Sequence, residues 1–215
     1  MEHQEVEVKR NLDLRQIDCF VFDFGATLSS HPYFTVCPPE CPEWADLFQA
    51  HVFKKARSVF DDWMAGEIDA RDVAEMMSPV TGIAANRVIE FMKLGVRGLS
   101  QNKAVRDLAI RAREMGKRMV LVTGNIDLFD TEIVPDLGLS DIFEVIVNSS
   151  RSRELHKEKL WDEAFRLLNS GASYETSFLI EDSTNNVEMF RRLGGYAHLY
   201  VDDEGLIKEM QTLSW

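Results

Sequence analysis

The chain has 215 residues, which is long for one compact domain and short for two. It carries 24 basic and 36 acidic side chains, and its net charge of -12 disfavours partners that need a basic face, namely nucleic acids and anionic membranes. No apolar run approaches the roughly 18 residues of a membrane span, and the charged start does not resemble a secretory signal. Three cysteines, Cys19, Cys37 and Cys41, cannot all pair, which favours a reduced, cytoplasmic protein.

Short apolar runs typical of buried parallel strands alternate with helical patterns along most of the chain. Helical spacing of apolar residues precedes the second and fourth runs, and another helical pattern follows the fourth and ends at Gly194 and Gly195. This alternation predicts an α/β fold with a Rossmann-like parallel sheet. The five runs are residues 17–22, 118–122, 145–147, 178–180 and 199–201.

Residues 31–98 interrupt this alternation, because they begin with a Pro-rich loop and then become helical. An apolar stripe that includes Ala56 runs from Trp44 to Trp63, and Asp69 is placed to cap a second helix through Met77. A third apolar pattern covers residues 88–94. We interpret residues 31–98 as a helical insert whose aromatic stripe packs within it. The α/β core is then residues 17–30 and 99–215, and residues 1–16 are an N-terminal tail.

Carboxylates follow two of the predicted strands at the point where each strand ends. Asp23 follows the first strand, and Glu181 and Asp182 follow the fourth. The carboxyl ends of parallel strands meet at one edge of a sheet, where ligands bind. Carboxylates that face each other repel unless a cation lies between them, and a hard, oxygen-rich site suits Mg²⁺. A carboxylate held there could attack phosphorus and form an aspartyl-phosphate.

Groups suited to phosphate binding come from two other segments. The second strand ends in Thr123-Gly124-Asn125, which brings a hydroxyl and small residues to the same edge. Lys157 and Lys159 stand at the start of a predicted helix. A hydroxyl and a lysine would hold the phosphoryl oxygens that the metal leaves free. We therefore predict phosphate binding by these strand-end residues and one of the two lysines.

The order of four segments resembles the haloacid dehalogenase superfamily of phosphatases: DFGATL, VTGN, a lysine segment and EDSTNN. The stretches WMAGEID, GLSDIFEVIVNSS and LIEDSTNNVEMFRRLGG resemble the same family, so that the similarity spans residues 17–201. The resemblance implies that the helical insert is a cap placed after the first motif. It also implies an Mg²⁺-dependent phosphatase that acts on a small phosphorylated metabolite.

The resemblance implies a role for individual residues of this chain. Asp23 would be the nucleophile and a metal ligand, and Gly25 would bind the metal through its backbone carbonyl. Thr123 would hydrogen-bond the phosphoryl group, and Lys157 would neutralise charge on the phosphate and on the nucleophile. Asp182 would complete the metal site.

The first motif departs from the family pattern at two positions. Family members usually carry an acid two residues after the nucleophile, where this chain has Gly25, and a glycine at the next position, where it has Ala26. That acid protonates the leaving oxygen and later activates water, and such catalysis contributes roughly 10²–10⁴-fold. Its loss favours good leaving groups or a donor from the insert. His31 is a candidate for this donor, or an ordinary loop residue.

Two further departures leave alternatives open. The lysine segment lacks the usual proline and is about two residues short, so both Lys157 and Lys159 remain possible, and we favour Lys157. Glu181, in place of a glycine or aspartate, is a supporting acid, a solvated acid or a helix-capping acid, and Asn186 is a second supporting candidate. A weakly active or non-catalytic binding protein is therefore the alternative function. A dehalogenase is less favoured, because those relatives carry an aromatic residue where Gly25 stands.

Overall fold

A computed structural model describes residues 14–54 and 59–212 of the chain. Its centre is a five-stranded sheet in the order β3-β2-β1-β4-β5, and all neighbouring strands are parallel. The predicted α/β fold is therefore confirmed. The strands are β1 (Cys19–Phe22), β2 (Arg118–Thr123), β3 (Val145–Asn148), β4 (Ser177–Glu181) and β5 (Tyr196–Leu199). The helices are α1 (Trp44–Phe48), α2 (Val59–Met64), α3 (Ala70–Thr81), α4 (Ala85–Leu94), α5 (Lys103–Glu114), α6 (Val134–Asp136), α7 (Ser149–Ser152), α8 (Lys157–Leu168), α9 (Thr184–Arg192) and α10 (Asp203–Thr212).

The central strand β1 is buried on both faces, as its uninterrupted apolar sequence predicts. Cys19 and Val21 pack in a core cluster with side chains of α8 and α9, whereas Phe20 and Phe22 belong to a cluster with α5, α10 and the insert. Phe22 is level with a residue near the end of each neighbour, β2 and β4. The strand order reverses at β1, so that the crevice beyond its carboxyl end is where a ligand binds in such sheets.

The last predicted strand is misplaced by a few residues. The apolar run at 199–201 predicts a strand there, but β5 is Tyr196–Leu199, and Val201 is 78% exposed. Pairing with β4 runs from Phe178 opposite Tyr196 to Glu181 opposite Leu199, so β5 must end level with its neighbour. The pairing with β4, and not the local apolar pattern, therefore determines which residues form β5.

The predicted tail, residues 1–16, lies mostly outside the described residues. Its last three residues, Leu14–Gln16, form a 3₁₀ turn, and Leu14 is fully buried in the core. Lys117 Nζ donates a hydrogen bond of 3.0 Å to the Leu14 carbonyl, which ties this turn to the start of β2. No helix among residues 14–54 and 59–212 has the length and apolarity needed to cross a bilayer.

The segment predicted as the helical insert, residues 31–98, contains α1 to α4, and α5 follows it before β2. The apolar stripe that begins at Trp44 forms α1, continues through a π-helical segment at Gln49–Phe53 and resumes in α2. Ala56, which was predicted to belong to the stripe, lies outside the described residues. Asp69 caps α3 as predicted, because its carboxylate accepts the backbone N–H groups of Arg71 and Asp72.

Several hydrogen bonds join the insert to the segments that follow β2 and β3. Asp127, in the loop after β2, accepts Trp63 Nε1–H at 2.6 Å and the Ala70 backbone N–H at 3.2 Å. Ser149 Oγ, just after β3, donates to the Met64 carbonyl at 2.7 Å. The insert is therefore held against the edge of the sheet at which the candidate site residues are predicted.

At Gly66 the insert lies so close to the segment after β3 that there is no room for a side chain. Gly66 adopts φ +67°, and a Cβ there would lie 2.2 Å from the Ser150 carbonyl oxygen. Gly82, at the end of α3, has a similar φ of +70°, but a Cβ there meets no atom within 4 Å. The two glycines therefore have the same backbone conformation, but a side chain would collide with a neighbouring segment only at Gly66.

We expect Gly66→Ala to destabilise the protein more than Gly82→Ala, by roughly 2 kcal/mol or more in the free energy of unfolding. Both variants carry the strain of a left-handed alanine, about 1 kcal/mol, and only the first also forces a backbone shift. Urea titration of both variants measures the difference. Equal losses of stability would mean that the contact with Ser150 is absent in solution.

Candidate active site

Asp23 lies at the point where β1 ends, between the ends of β2 and β4. Its backbone N–H donates to the Ile180 carbonyl of β4 at 3.0 Å, which continues the sheet pairing one residue beyond the strand. The side chain is buried. Its backbone is thus fixed by the sheet, and its carboxylate faces the edge at which ligands bind.

Lys157, the first residue of α8, reaches this carboxylate. Its ammonium donates to Asp23 Oδ1 at 2.6 Å and to the Val122 carbonyl at 3.1 Å, and it lies 3.2 Å from Glu181 Oε2. Lys159, the other candidate, is exposed and pairs with Glu154. The structure therefore brings Lys157, and not Lys159, to the nucleophile candidate.

The acidic residues converge on the same point. Asp23, Glu181 and Asp182 each offer an oxygen, and these three atoms lie within 4.8 Å of one another. Glu181 is buried rather than solvated, so the interpretation of Glu181 as a solvated acid is wrong. Its Oε1 accepts the Ser183 backbone N–H at 3.1 Å, while its buried Oε2 has no hydrogen bond and faces Lys157.

Burial sets the protonation of these carboxyls. It raises the pKa of Asp23 to about 7, against the lowering effect of Lys157 and with a smaller raising effect of Glu181. The pKa of Asp182 is also raised, by burial first and by Glu181 second. Burial alone would lower the pKa of Lys157, but the Asp23 and Glu181 carboxylates outweigh it and raise this pKa. When all three carboxyls are ionised, their negative charge therefore exceeds the single positive charge of Lys157.

The chemistry of this donor set fits a small divalent cation. All three acidic ligands are carboxylates, and hard oxygen donors are those that Mg²⁺ takes in proteins. Glu181 Oε2 is buried, and its partner is the Lys157 ammonium 3.2 Å away, which also pairs with Asp23 and so serves two carboxylates at once. The residues present are therefore suited to Mg²⁺ as well as to the ammonium of Lys157.

We expect Lys157→Met to lower the free energy of unfolding by roughly 3 kcal/mol at pH 8, measured without metal. The substitution leaves Asp23 and Glu181 buried beside each other with no cation. The loss should be smaller at pH 6, where one carboxyl takes up a proton. Lys159→Met, on the same helix but exposed, is the control and should change stability by less than about 0.5 kcal/mol. Equal effects of both variants would contradict a buried ion pair.

The phosphate-binding candidates after β2 differ in what they contact. Thr123 is buried at the end of the strand, and Gly124 follows it at the sheet edge. Asn125 is already occupied, since its backbone N–H donates to Ser149 Oγ at 2.9 Å. Its side-chain amide nitrogen lies 2.9 Å from the Tyr33 hydroxyl. Asn125 therefore holds the insert. Within the described residues, no hydrogen bond to the insert is made by Thr123 or Gly124.

The backbone of the loop after Asp23 shows what one departure from the family pattern costs. Ala26 adopts φ +54°, a left-handed conformation that glycine accepts without cost and alanine does not. Gly25 places no side chain beside Asp23, and a Cβ there would meet no atom within 4 Å. His31 is exposed, and its Nδ1 lies 3.3 Å from Ser100 Oγ.

Two residues near the site were not singled out from the sequence. Thr27 is fully buried, and its hydroxyl donates to Asp182 Oδ1 at 3.3 Å. It belongs to the DFGATL segment, so the motif itself was the available signal. Tyr33 reaches Asn125 from the insert, and no local pattern marks it. Asn186, a supporting candidate, lies in the first turn of α9.

No family model and no curated protein matches the sequence. Solved structures do match. A protein from Porphyromonas gingivalis described as a predicted haloacid dehalogenase (HAD)-like family hydrolase aligns with a TM-score of 0.66 and 18% identity, over 91% of this chain and 97% of that chain. A HAD family enzyme from Bacteroides thetaiotaomicron, in complex with magnesium and inorganic phosphate, aligns with a TM-score of 0.61 and 16% identity over 85% and 93%.

CbbY from Rhodobacter sphaeroides, in complex with phosphate, aligns with a TM-score of 0.53 and 16% identity over 84% of each chain. These likenesses cover nearly the whole described chain at low identity. The chain therefore has the haloacid dehalogenase-like fold, and the resemblance seen in the four ordered motifs is confirmed at the level of the fold.

Proposed function

We propose that this protein is an Mg²⁺-dependent phosphatase that acts on a small phosphorylated metabolite through an aspartyl-phosphate on Asp23. One observation carries the proposal: the buried Asp23 carboxylate lies 2.6 Å from the Lys157 ammonium and beside two further carboxylates, at the reversal point of the sheet. A nucleophile, a phosphate-neutralising cation and a candidate metal site thus share one edge. The complexes of the Bacteroides neighbour with magnesium and phosphate support this assignment.

Each residue has a distinct task in the proposed reaction. Asp23 attacks the phosphorus atom with one carboxylate oxygen, and the bond to the leaving oxygen breaks. Lys157 stands beside both the attacking carboxylate and the transferred group, where it neutralises developing charge. Thr123 offers its hydroxyl to a phosphoryl oxygen from the end of β2. Water then hydrolyses the aspartyl-phosphate and regenerates Asp23.

The candidate metal ligands are Asp23, Asp182 and the backbone carbonyl of Gly25, with Glu181 behind them. Bound Mg²⁺ would supply charge neutralisation for the phosphoryl oxygens and for the crowded carboxylates. Thr27 positions Asp182 through its hydroxyl. Glu181 orients Lys157 through their ion pair of 3.2 Å.

Release of inorganic phosphate from 4-nitrophenyl phosphate tests the proposal. We expect turnover with Mg²⁺ that stops when EDTA is added and returns when Mg²⁺ is restored in excess. Beryllofluoride with Mg²⁺ should raise the melting temperature, because it mimics the phosphoryl group on the aspartate. Absence of both turnover and a thermal shift would contradict the proposal.

Stabilisation by Mg²⁺ should depend on pH. The raised pKa of Asp23, about 7, lies above that of an unfolded aspartate, so the folded metal-free protein holds a proton that the unfolded chain releases. The contribution of Asp23 to the stability of the metal-free protein therefore falls as pH rises from about 4 to 7. Since metal ligands must be deprotonated, Mg²⁺ should raise the melting temperature more at pH 8 than at pH 6. Equal shifts at both pH values would contradict this titration.

A second candidate function rests on Gly25, which leaves the site without the usual acid beside the nucleophile. In that case the protein binds a phosphorylated ligand and turns it over slowly or not at all. The same assay separates the two candidates. A thermal shift with beryllofluoride in the absence of turnover over a broad set of phosphate esters would favour the binding protein.

A further inference from the structure

A cavity of about 400 Å³ opens beside the candidate nucleophile, between the sheet edge and the helical insert. Its lining includes Gly25, two residues after Asp23, and Gly124, which directly follows Thr123. A group attached to a phosphate at Asp23 therefore has this space beside it. The cavity is the place to look for the chemistry of the leaving group.

Aromatic rings form the insert side of this cavity. Phe53 and Phe60, both half-buried, have ring centroids 4.9 Å apart and an interplanar angle of 57°. Tyr33 lines the same space, and its hydroxyl is engaged by the Asn125 amide, so its ring is held in place. Rings arranged this way favour a further ring, through stacked or edge-on contacts.

In the described part of the chain, the residues that line this cavity offer no carboxylate, ammonium or guanidinium group to a charged substituent. Among the lining residues within the described part of the chain there is no aspartate, glutamate, lysine or arginine. The polar contributions come from amides, hydroxyls and one histidine, such as Gln49, Ser30 and His31. An ionised carboxylate or a second phosphate would lose its hydration there without gaining a partner.

Position 25 adds an independent constraint from the reaction. A leaving alkoxide is strongly basic and needs a proton as the bond to phosphorus breaks, and the side chain that normally supplies it is absent here. The titratable side chains in the described lining are His31, whose Nδ1 lies 3.3 Å from Ser100 Oγ, and Tyr33, whose hydroxyl is hydrogen-bonded to Asn125. A phenol has a pKa near 10 and leaves as the phenolate without this help.

We propose that the substrate is a small aryl phosphate, the phosphate ester of an uncharged phenol, whose ring occupies the cavity formed by Tyr33, Phe53 and Phe60. This inference rests on the proposed phosphatase function and specifies its substrate class. An Asp23 oxygen bonds to phosphorus, the bond between phosphorus and the phenolic oxygen breaks, and the electron pair leaves with the phenolate. Water then attacks phosphorus, Asp23 is released, and the proton of the water passes to solvent.

Four substrates distinguish the effect of the ring on the rate from the effect of the leaving group. Phenyl phosphate has both features, benzyl phosphate has the ring with an alkoxide leaving group, acetyl phosphate has a good leaving group without the ring, and propyl phosphate has neither. We expect kcat/KM for phenyl phosphate to exceed that for benzyl phosphate by roughly 10²-fold or more. It should also exceed that for acetyl phosphate. Benzyl or propyl phosphate within threefold of phenyl phosphate would overturn the proposal.

Variants of the insert test the cavity itself. Phe53→Leu and Phe60→Leu should each lower kcat/KM for phenyl phosphate about three- to tenfold, and should lower that for acetyl phosphate by a smaller factor. Phe165→Leu is the matched control, because Phe165 is also a half-buried ring but lies on α8, in the cluster on the opposite face of the sheet. Equal losses for phenyl and acetyl phosphate in the Phe53 and Phe60 variants would overturn the proposal.

A binding measurement keeps the two proposals distinguishable. Calorimetric titration of the Asp23→Asn protein with phenyl and propyl phosphate, in the presence of Mg²⁺, requires no turnover. Tighter binding of phenyl phosphate, lost in Phe60→Leu, supports the aromatic cavity even if the native protein hydrolyses no ester, in which case only the phosphatase function fails. Equal binding of the two esters overturns the substrate class and leaves the phosphatase function standing if turnover is seen.

Discussion

Asp23→Asn is expected to lower Mg²⁺-dependent phosphate release by roughly 10³-fold or more, the largest effect of any single substitution. The amide cannot attack phosphorus, whereas the shape of the site is kept. The fold should survive, because the ionised form of Asp23 is already unfavourable at neutral pH, where its pKa is raised to about 7. Lys157 retains Glu181 at 3.2 Å as a partner. Steady-state assays together with thermal melts measure both results.

Asp18→Asn is the control for this substitution. Asp18 is exposed and directly precedes β1, so the same chemical change is made at the opposite end of the same strand. Its activity should match that of the unmodified protein. Equal rates for the unmodified and Asp23→Asn proteins would show that Asp23 is not the nucleophile.

Gly25→Asp should raise the hydrolysis of alkyl phosphates, by roughly 10²-fold for benzyl or propyl phosphate. The substitution supplies the acid that protonates a basic leaving oxygen and then activates water. The site has room for it, because a Cβ at position 25 meets no atom within 4 Å, and the backbone there is not in the left-handed region. The rate ratio of phenyl to benzyl phosphate should fall accordingly.

Gly25→Asn separates proton transfer from a change of shape. Asparagine has the size of aspartate but no titratable proton, so it should give no gain on alkyl phosphates. The gain in Gly25→Asp should also depend on the ionisation of the new carboxyl, which a pH–rate profile reports. A similar gain in both variants, or no gain in a stable Gly25→Asp protein, would contradict this explanation of the departure at position 25.

The sheet and its functional edge were predictable from the sequence because they depend on local patterns. An apolar run such as residues 17–22 marks a buried strand, and an acid after it lies at the ligand-binding edge. This pattern predicted the place of Asp23, whereas the family resemblance implied Lys157 as its partner, with Lys159 as the alternative. The structure places the Lys157 ammonium 2.6 Å from Asp23 Oδ1. The end of β5 was not predictable in this way, since pairing with β4 sets its register.

Burial and long-range contacts explain what the sequence could not indicate. In the sequence, Glu181 resembles a solvated acid because it stands next to Asp182. Successive side chains of a strand point to opposite faces, however, and the side chain of Glu181 is buried and faces Lys157. Asn125 resembles a phosphate ligand, yet a tyrosine from the insert occupies its side chain. Both outcomes depend on partners more than 20 residues distant in the chain, which no local pattern encodes.

Residues 123–127, which are the last position of β2 and the four that follow it, belong to two structures at once. Thr123 and Gly124 belong to the candidate phosphate site, while Asn125 and Asp127 hold Tyr33, Trp63 and the start of α3. The insert is consequently not an exchangeable module. A chimera that replaces residues 31–98 with the insert of another protein would leave the Asn125 amide and the Asp127 carboxylate without their partners, unless the loop is transplanted with it. Recombination between proteins of this fold should therefore preserve the two segments together.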